Sequence, residues 1–148
     1  MSMLTRRISC VQLVLVGSTD QDRSTAFYEA LGFERRNDIP WGGRYRWVEV
    51  YPPDGKAGIA LIPPAQPHLA GDPRIQTGIQ TGILFNTDDI DETHTHVQSL
   101  GVDVDKEIAR PGSPAQIRLG AVEMAGHMPP MFWFRDSVAN SPLMVEAK

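Results

Sequence analysis

The sequence predicts an α+β fold of two tandem βαβββ modules, and three observations carry that prediction. First, the chain repeats itself. Leu31-Gly32 recurs as Leu100-Gly101, 69 positions on, and the same shift carries Val14-Leu15-Val16 onto Ile83-Leu84-Phe85 and Asp20 onto Asp89. Second, each copy runs apolar strand, Thr-Asp turn, helix, Leu-Gly stop and apolar strand. Third, each copy is too small to bury its own apolar faces, so the two must pack together. Paired units leave a seam, and concave small-molecule sites commonly sit where such units join.

Each element follows from local chemistry. Val11 to Val16 is short, rich in β-branched and Leu residues and ended by Gly17, which predicts a buried strand. Ser18, Thr19 and Asp20 are candidate helix caps, and Thr19 with Asp22 has capping-box spacing. The helix behind them is expected to present Ala26, Phe27, Ala30 and Leu31 on one face, with Gly32 as its stop. Phe33 to Ile39 reads as a strand and Pro40 to Gly43 as a turn. From Tyr45 to Tyr51 the residues alternate, with Tyr45, Trp47, Glu49 and Tyr51 on one face and Arg46, Val48 and Val50 on the other. Pro52-Pro53-Asp54-Gly55 is a turn, and Gly58 to Ile62 closes the module as its fourth strand.

The second module opens on the strand Ile83 to Phe85, and Asp89 with Glu92 repeats the capping-box spacing. A helix then reaches Leu100, followed by strands at Val102–Ile108, Met131–Phe134 and Leu143–Glu146. Pro111 to Pro130 is an expanded loop, and Asp136 to Pro142 a turn. Module one thus spans about residues 10–63, a Pro- and Gly-rich linker about 64–80, and module two about 81–148, all in a single domain.

Bulk properties remove several function classes. The 148 residues carry a net charge of −4 with no Lys/Arg-rich face, which argues against nucleic acid and anionic membranes as partners. The longest apolar run, Val11 to Val16, is far too short to span a bilayer, and the N-terminal residues do not read as a signal peptide. Cys10 is the only cysteine, so no internal disulfide forms and a cytoplasmic setting is expected.

Several motifs carry a family resemblance. Asp22-Arg23-Ser24 leads to Ala26-Phe27-Tyr28 and Leu31-Gly32-Phe33; Thr87-Asp88-Asp89-Ile90-Asp91 precedes the second helix; Met131-Phe132-Trp133-Phe134-Arg135-Asp136 is followed by Asn140. Together they resemble the vicinal oxygen chelate superfamily, which groups glyoxalase I, bleomycin-resistance proteins and extradiol dioxygenases. The resemblance implies curved sheets enclosing a cup, and a homodimer. It also implies a divalent metal held by His, Gln or Glu, but the implied positions fall on Val11, Glu49, Gly82 and Leu143. One carboxylate is too few, since a catalytic ion ordinarily takes about three protein ligands. No cofactor is therefore expected, with a divalent metal in an unusual ligand set left open.

The candidate cavity residues are Val11, Leu13, Trp47, Glu49, Gly82, Phe132, Phe134 and Leu143, and the candidate catalytic residues are Glu49 and His127. Glu49 sits either on a solvated strand face or in the cavity; in the cavity, burial would raise its pKa and suit it to acid/base work or to anchoring a cationic ligand. His94 and His96 lie two residues apart on a helix and point in different directions, so they do not share one ion. His68 falls in the linker, while His127 and Glu123 fall in the expanded loop. The leading reading is a metal-independent binder of a small apolar or aromatic molecule, as in the bleomycin-resistance branch. The alternatives are a lyase, isomerase or dioxygenase-like enzyme, either pairing Glu49 with His127 or Glu123 or using a metal held by an unusual ligand set, and a dimeric accessory module without chemistry.

Overall fold

The computed structural model describes residues 7–40, 46–63, 77–111, 115–117, 120–122 and 129–147. The first module holds β1 (Leu13–Gly17), α1 (Gln21–Ala30), β2 (Glu34–Pro40), β3 (Arg46–Tyr51) and β4 (Gly58–Ile62). The second holds β5 (Gln80–Thr87), α2 (Ile90–Ser99), β6 (Ala115–Ile117), β7 (Gly120–Val122), β8 (Met131–Trp133) and β9 (Ser141–Glu146). The first sheet runs β1-β4-β3-β2 and the second β5-β9-β8, while β6 and β7 pair by themselves. In both sheets the first strand lies parallel to the last, which is antiparallel to the strand before it. The repeated sequence thus becomes a repeated topology.

Both helices start and stop the same way. Asp20 and Asp89 are the N-caps, their carboxylates accepting from the backbone N–H of Arg23 and Glu92, each at 3.0 Å. Such a cap contributes about 1 kcal/mol. Asp20, not Thr19, takes the first helix, so the Thr19–Asp22 spacing is not a capping box. Gly32 and Gly101 follow Leu31 and Leu100 at φ +98° and +75°, left-handed values that glycine adopts without a Cβ penalty.

The buried face of α1 differs from expectation. Ser24, Thr25, Phe27 and Tyr28 are buried, while Ala26 and Ala30 are exposed. Ser24 is accommodated because its hydroxyl meets that of Ser18 at 2.6 Å, so burying it leaves no unpaired oxygen. In the second module, β5 begins at Gln80 rather than Ile83. The expected strand Val102–Ile108 is reduced to isolated bridges, Val104 to Phe134 and Ala109 to Met131. The expanded loop contains the β6–β7 pair.

One apolar cluster joins the modules. Val16, Phe27, Tyr28, Val48, Val50, Ile59 and Leu61 from the first pack with Ile90, Val97, Phe132, Phe134 and Met144 from the second. Rings cross the seam, with Tyr28 at 6.4 Å from Phe85 and Phe27 at 6.3 Å from Phe134. Polar bonds fix the register of the join. Tyr28 Oη donates to Asp136 Oδ2 at 2.9 Å, and Asn140 Nδ2 donates to the Gly17 carbonyl at 2.8 Å. Burial, with the Asp136 carboxylate alongside, drives the Tyr28 hydroxyl well above its ordinary pKa, so it stays a donor.

Candidate functional site

Strand alternation sends the remaining side chains to the sheet faces turned away from this core. On the first sheet, Val48 and Val50 enter the core, so Trp47, Glu49 and Tyr51 share the opposite face. Cross-strand pairing adds Asn37 and Ile39 from β2, and Ala60 from β4 beside Leu15 from β1. On the second sheet, Phe132 and Met144 enter the core, and Trp133 pairs with Leu143, itself paired with Leu84.

Glu49 is the organised centre of the first face. It is only 7% exposed, yet both oxygens are bonded: Trp47 Nε1 donates to Oε2 at 2.6 Å and Tyr51 Oη to Oε1 at 2.9 Å. Burial pushes its pKa up, but the hydrogen bonds from Trp47, Asn37 and Tyr51 outweigh it and hold the carboxyl below its ordinary value. This corrects the expectation of a raised pKa. The two aromatic donors lie on the same strand face, and with Asn37 their hydrogen bonds favour the charged form by more than burial disfavours it. Glu49 is therefore an ionised acceptor.

The neighbouring glycine completes the arrangement. A Cβ on Gly58 would come within 2.9 Å of the Tyr51 ring, so only glycine lets that ring lie on the sheet beside Glu49. The Arg36 guanidinium stacks over the same ring, 4.4 Å from its centroid.

The duplication exposes a substitution at this site. Leu15 pairs with Ala60, which pairs with Glu49; 69 positions later, Leu84 pairs with Leu143, which pairs with Trp133. Trp133 thus occupies in the second sheet the place Glu49 holds in the first. It lies against a recess of about 240 Å³ lined also by Ile79, Gln80, Arg135 and Ser141. A larger groove of about 930 Å³ runs along β5, with Phe33, Ile83 and Phe85 among its walls.

Of the candidate cavity residues, Leu13, Trp47, Glu49, Gly82 and Leu143 lie on the two sheets as described. Val11 precedes β1 and is 67% exposed. Phe132 and Phe134 do not line a cup: both are fully buried in the core between the modules. The Met131–Phe134 alternation separates Trp133 from its two Phe neighbours but does not say which face is inward, and Trp133 was the residue missed. His127, Glu123, His68 and Tyr45 lie outside the described residues. His94 is buried, its Nε2 2.6 Å from the Asp105 carbonyl, and His96 meets the Ala30 carbonyl at 2.6 Å.

The residues do not fit a divalent metal. Val11 and Leu143 offer no ligating side-chain atom, and Gly82, at φ +73° in an irregular stretch of β5, has no side chain at all. Glu49 already accepts three hydrogen bonds. Among the described residues no three His, Cys, Asp or Glu side chains converge.

Residues 11–120 match the family model of the glyoxalase/bleomycin resistance protein/dioxygenase superfamily, and the chain belongs to that family. It is 29% identical over 97 residues to the uncharacterized protein YurT of Bacillus subtilis, covering 63% of this chain and 76% of that one. A solved member of the superfamily from Sphaerobacter thermophilus superposes with a TM-score of 0.68 at 29% identity, covering 95% of this chain and 98% of the other. TnmS3, an antibiotic binding protein from a Streptomyces species, superposes with a TM-score of 0.68 at 25% identity, covering 97% and 100%.

Proposed function

We propose that this protein binds a small, largely apolar or aromatic molecule without a metal, in cups completed by a second copy of the chain. The observation that carries the reading is the state of the two strand edges. Among the described residues, β1 and β5 each pair on one side only, and Leu15 and Leu84 on those strands are 43% and 53% exposed. An unpaired edge strand bearing apolar side chains is a template for another chain. Setting β1 of one copy against β5 of the other gives each cup one wall with Trp47, Glu49 and Tyr51 and one with Trp133 and Leu143. Similarity to an antibiotic binding protein supports a small organic ligand. The single, exposed Cys10 supports a reducing compartment such as the cytoplasm.

The state of Glu49 favours binding over catalysis. A carboxylate held ionised by three donors has no proton to give as a general acid. Its role in this reading is to orient a ligand lying on the aromatic wall.

Thermal melts of chelator-treated protein test the proposal. Stabilisation by aromatic compounds from a broad panel, and none by divalent ions, is the expected outcome, because a ligand bound only by the folded state raises its melting temperature. Stoichiometric tightly bound metal, or a clear shift with one ion, overturns the metal-free reading. Sedimentation equilibrium should give a dimer for the wild type and a monomer for Leu84→Asp. A monomeric wild type rules out the shared cup.

A further inference from the structure

The second sheet's wall holds a recess whose ligand chemistry the cup reading leaves open. Its floor is Trp133, 8% exposed, whose backbone N–H is pinned by Asp105 Oδ2 at 2.8 Å. Ile79, 39% exposed, adds an apolar wall, and Gly78, Gln80, Ala139 and Ser141 complete the lining. Two residues beyond Trp133 on the same side of the strand, Arg135 brings a guanidinium to the recess.

Arg135 is poised to donate. Its Nε is enclosed and makes no hydrogen bond among the described residues; its ion-pair contact to Asp103 Oδ2 is long, at 3.4 Å, and the Asp103 side chain is 64% exposed. The Arg135 side chain is 43% exposed, and its guanidinium carries more N–H donors than this one long contact occupies. The polar groups around it are already engaged. Gln80 Oε1 accepts from the Gly82 N–H at 2.7 Å, and Ser141 Oγ donates to the Phe134 carbonyl at 3.3 Å.

Volume and chemistry together select a ligand class. A cavity of about 150 Å³ holds a benzene ring, so about 240 Å³ suits one or two fused rings. An indole floor favours a flat π-system, and a guanidinium fork favours a carboxylate that accepts through both oxygens. We propose that this recess is a subsite for an aromatic carboxylate, its ring on Trp133 and its oxygens on Arg135. The inference rests on the reading of the cup as a small-molecule site and adds that its two walls have opposite charge preference. Glu49 stands on one wall, and at Tyr51's counterpart position on the other stands Arg135.

Calorimetric titration of the purified full chain with naphthoate, its neutral amide naphthamide, and the aromatic cation proflavine tests this. Naphthoate is expected to bind about tenfold more tightly than naphthamide, the gain of a charge-assisted over a neutral pair. Arg135→Gln should erase that preference, and Arg135→Lys should keep part of it. The Arg135 Nε–H resonance of the wild type offers a test independent of any variant: it moves with naphthoate and stays put with naphthamide. A preference that survives in Arg135→Gln, or an Nε–H resonance unmoved by bound naphthoate, overturns the subsite. If proflavine binds and neither naphthalene does, the subsite fails while the cup reading stands; if none of the three binds, both fail.

Discussion

The two sheets of this protein share a backbone plan and differ in what they display on it. At one ladder position the first sheet carries Glu49, ionised and gripped by Trp47 and Tyr51, and the second carries Trp133 over a recess beside Arg135. The core sides diverge far less: each module sends apolar residues of its helix and alternate strand residues into one shared cluster. Duplication has kept what folding requires, which is burial and capping. It has left the outward faces free to separate into an acidic aromatic wall and a basic one.

The largest expected effect contrasts two neighbours on β8 and the bridge that follows it. Phe134 is fully buried among rings of both modules, so Phe134→Ala should cost about 3–5 kcal/mol in stability. Trp133 faces the other way; Trp133→Ala should cost less in urea unfolding but remove most aromatic-ligand binding. Equal losses of stability at the two positions would break the assignment of faces.

Acid titration gives the next effect and separates the carboxylates. The Glu49 pKa is held below its ordinary value, so its contribution to stability is present above about 4.5 and is lost as pH falls through the folded value. Burial instead raises Asp136 above its ordinary value, despite hydrogen bonds from Tyr28 and from the Val138 and Asn140 N–H groups. Its contribution therefore grows as pH falls toward about 3.8 and is lost as pH rises through the folded value. Urea midpoints measured across this range should show the wild-type advantage over Glu49→Gln shrinking with acid. The difference from Asp136→Asn should move in the opposite direction. Parallel trends in the two variants would contradict the contrast between an outward and a seam carboxylate.

The smallest effect tests the repeat itself. Gly32 and Gly101 end their helices at positive φ with no close neighbour crowding either position. Alanine at each should cost about 1 kcal/mol, the left-handed penalty for a residue with a Cβ, and the two costs should match in denaturant melts. A large inequality would mean the two helix stops are held by different forces.

Much of this fold was legible because it is written in local signals. Asp-capped helices, Leu-Gly stops and alternating strands appear in the order observed, twice. The failures have physical causes. Val102, Val104 and Ile108 alternate with charged residues as a strand would, but pairing supplies only isolated bridges at Val104 and at Ala109 just beyond, which no single segment's composition reveals. The α1 face was misjudged because Ser24 is buried by a partner six residues before it. At the site, the Tyr45–Tyr51 alternation places Trp47, Glu49 and Tyr51 together, yet it does not disclose that both rings donate to Glu49 and lower its pKa. Phe132, Trp133 and Phe134 are three large rings in a row, and which side turns inward is decided by the opposite module.

Indole resonances report whether ligands bind the outward faces of both sheets. With an aromatic ligand at saturation, the Trp47 and Trp133 indole N–H resonances should both shift, while the bound protein keeps its core methyl spectrum. A ligand that binds stoichiometrically and leaves both indoles unmoved would place its site away from these faces.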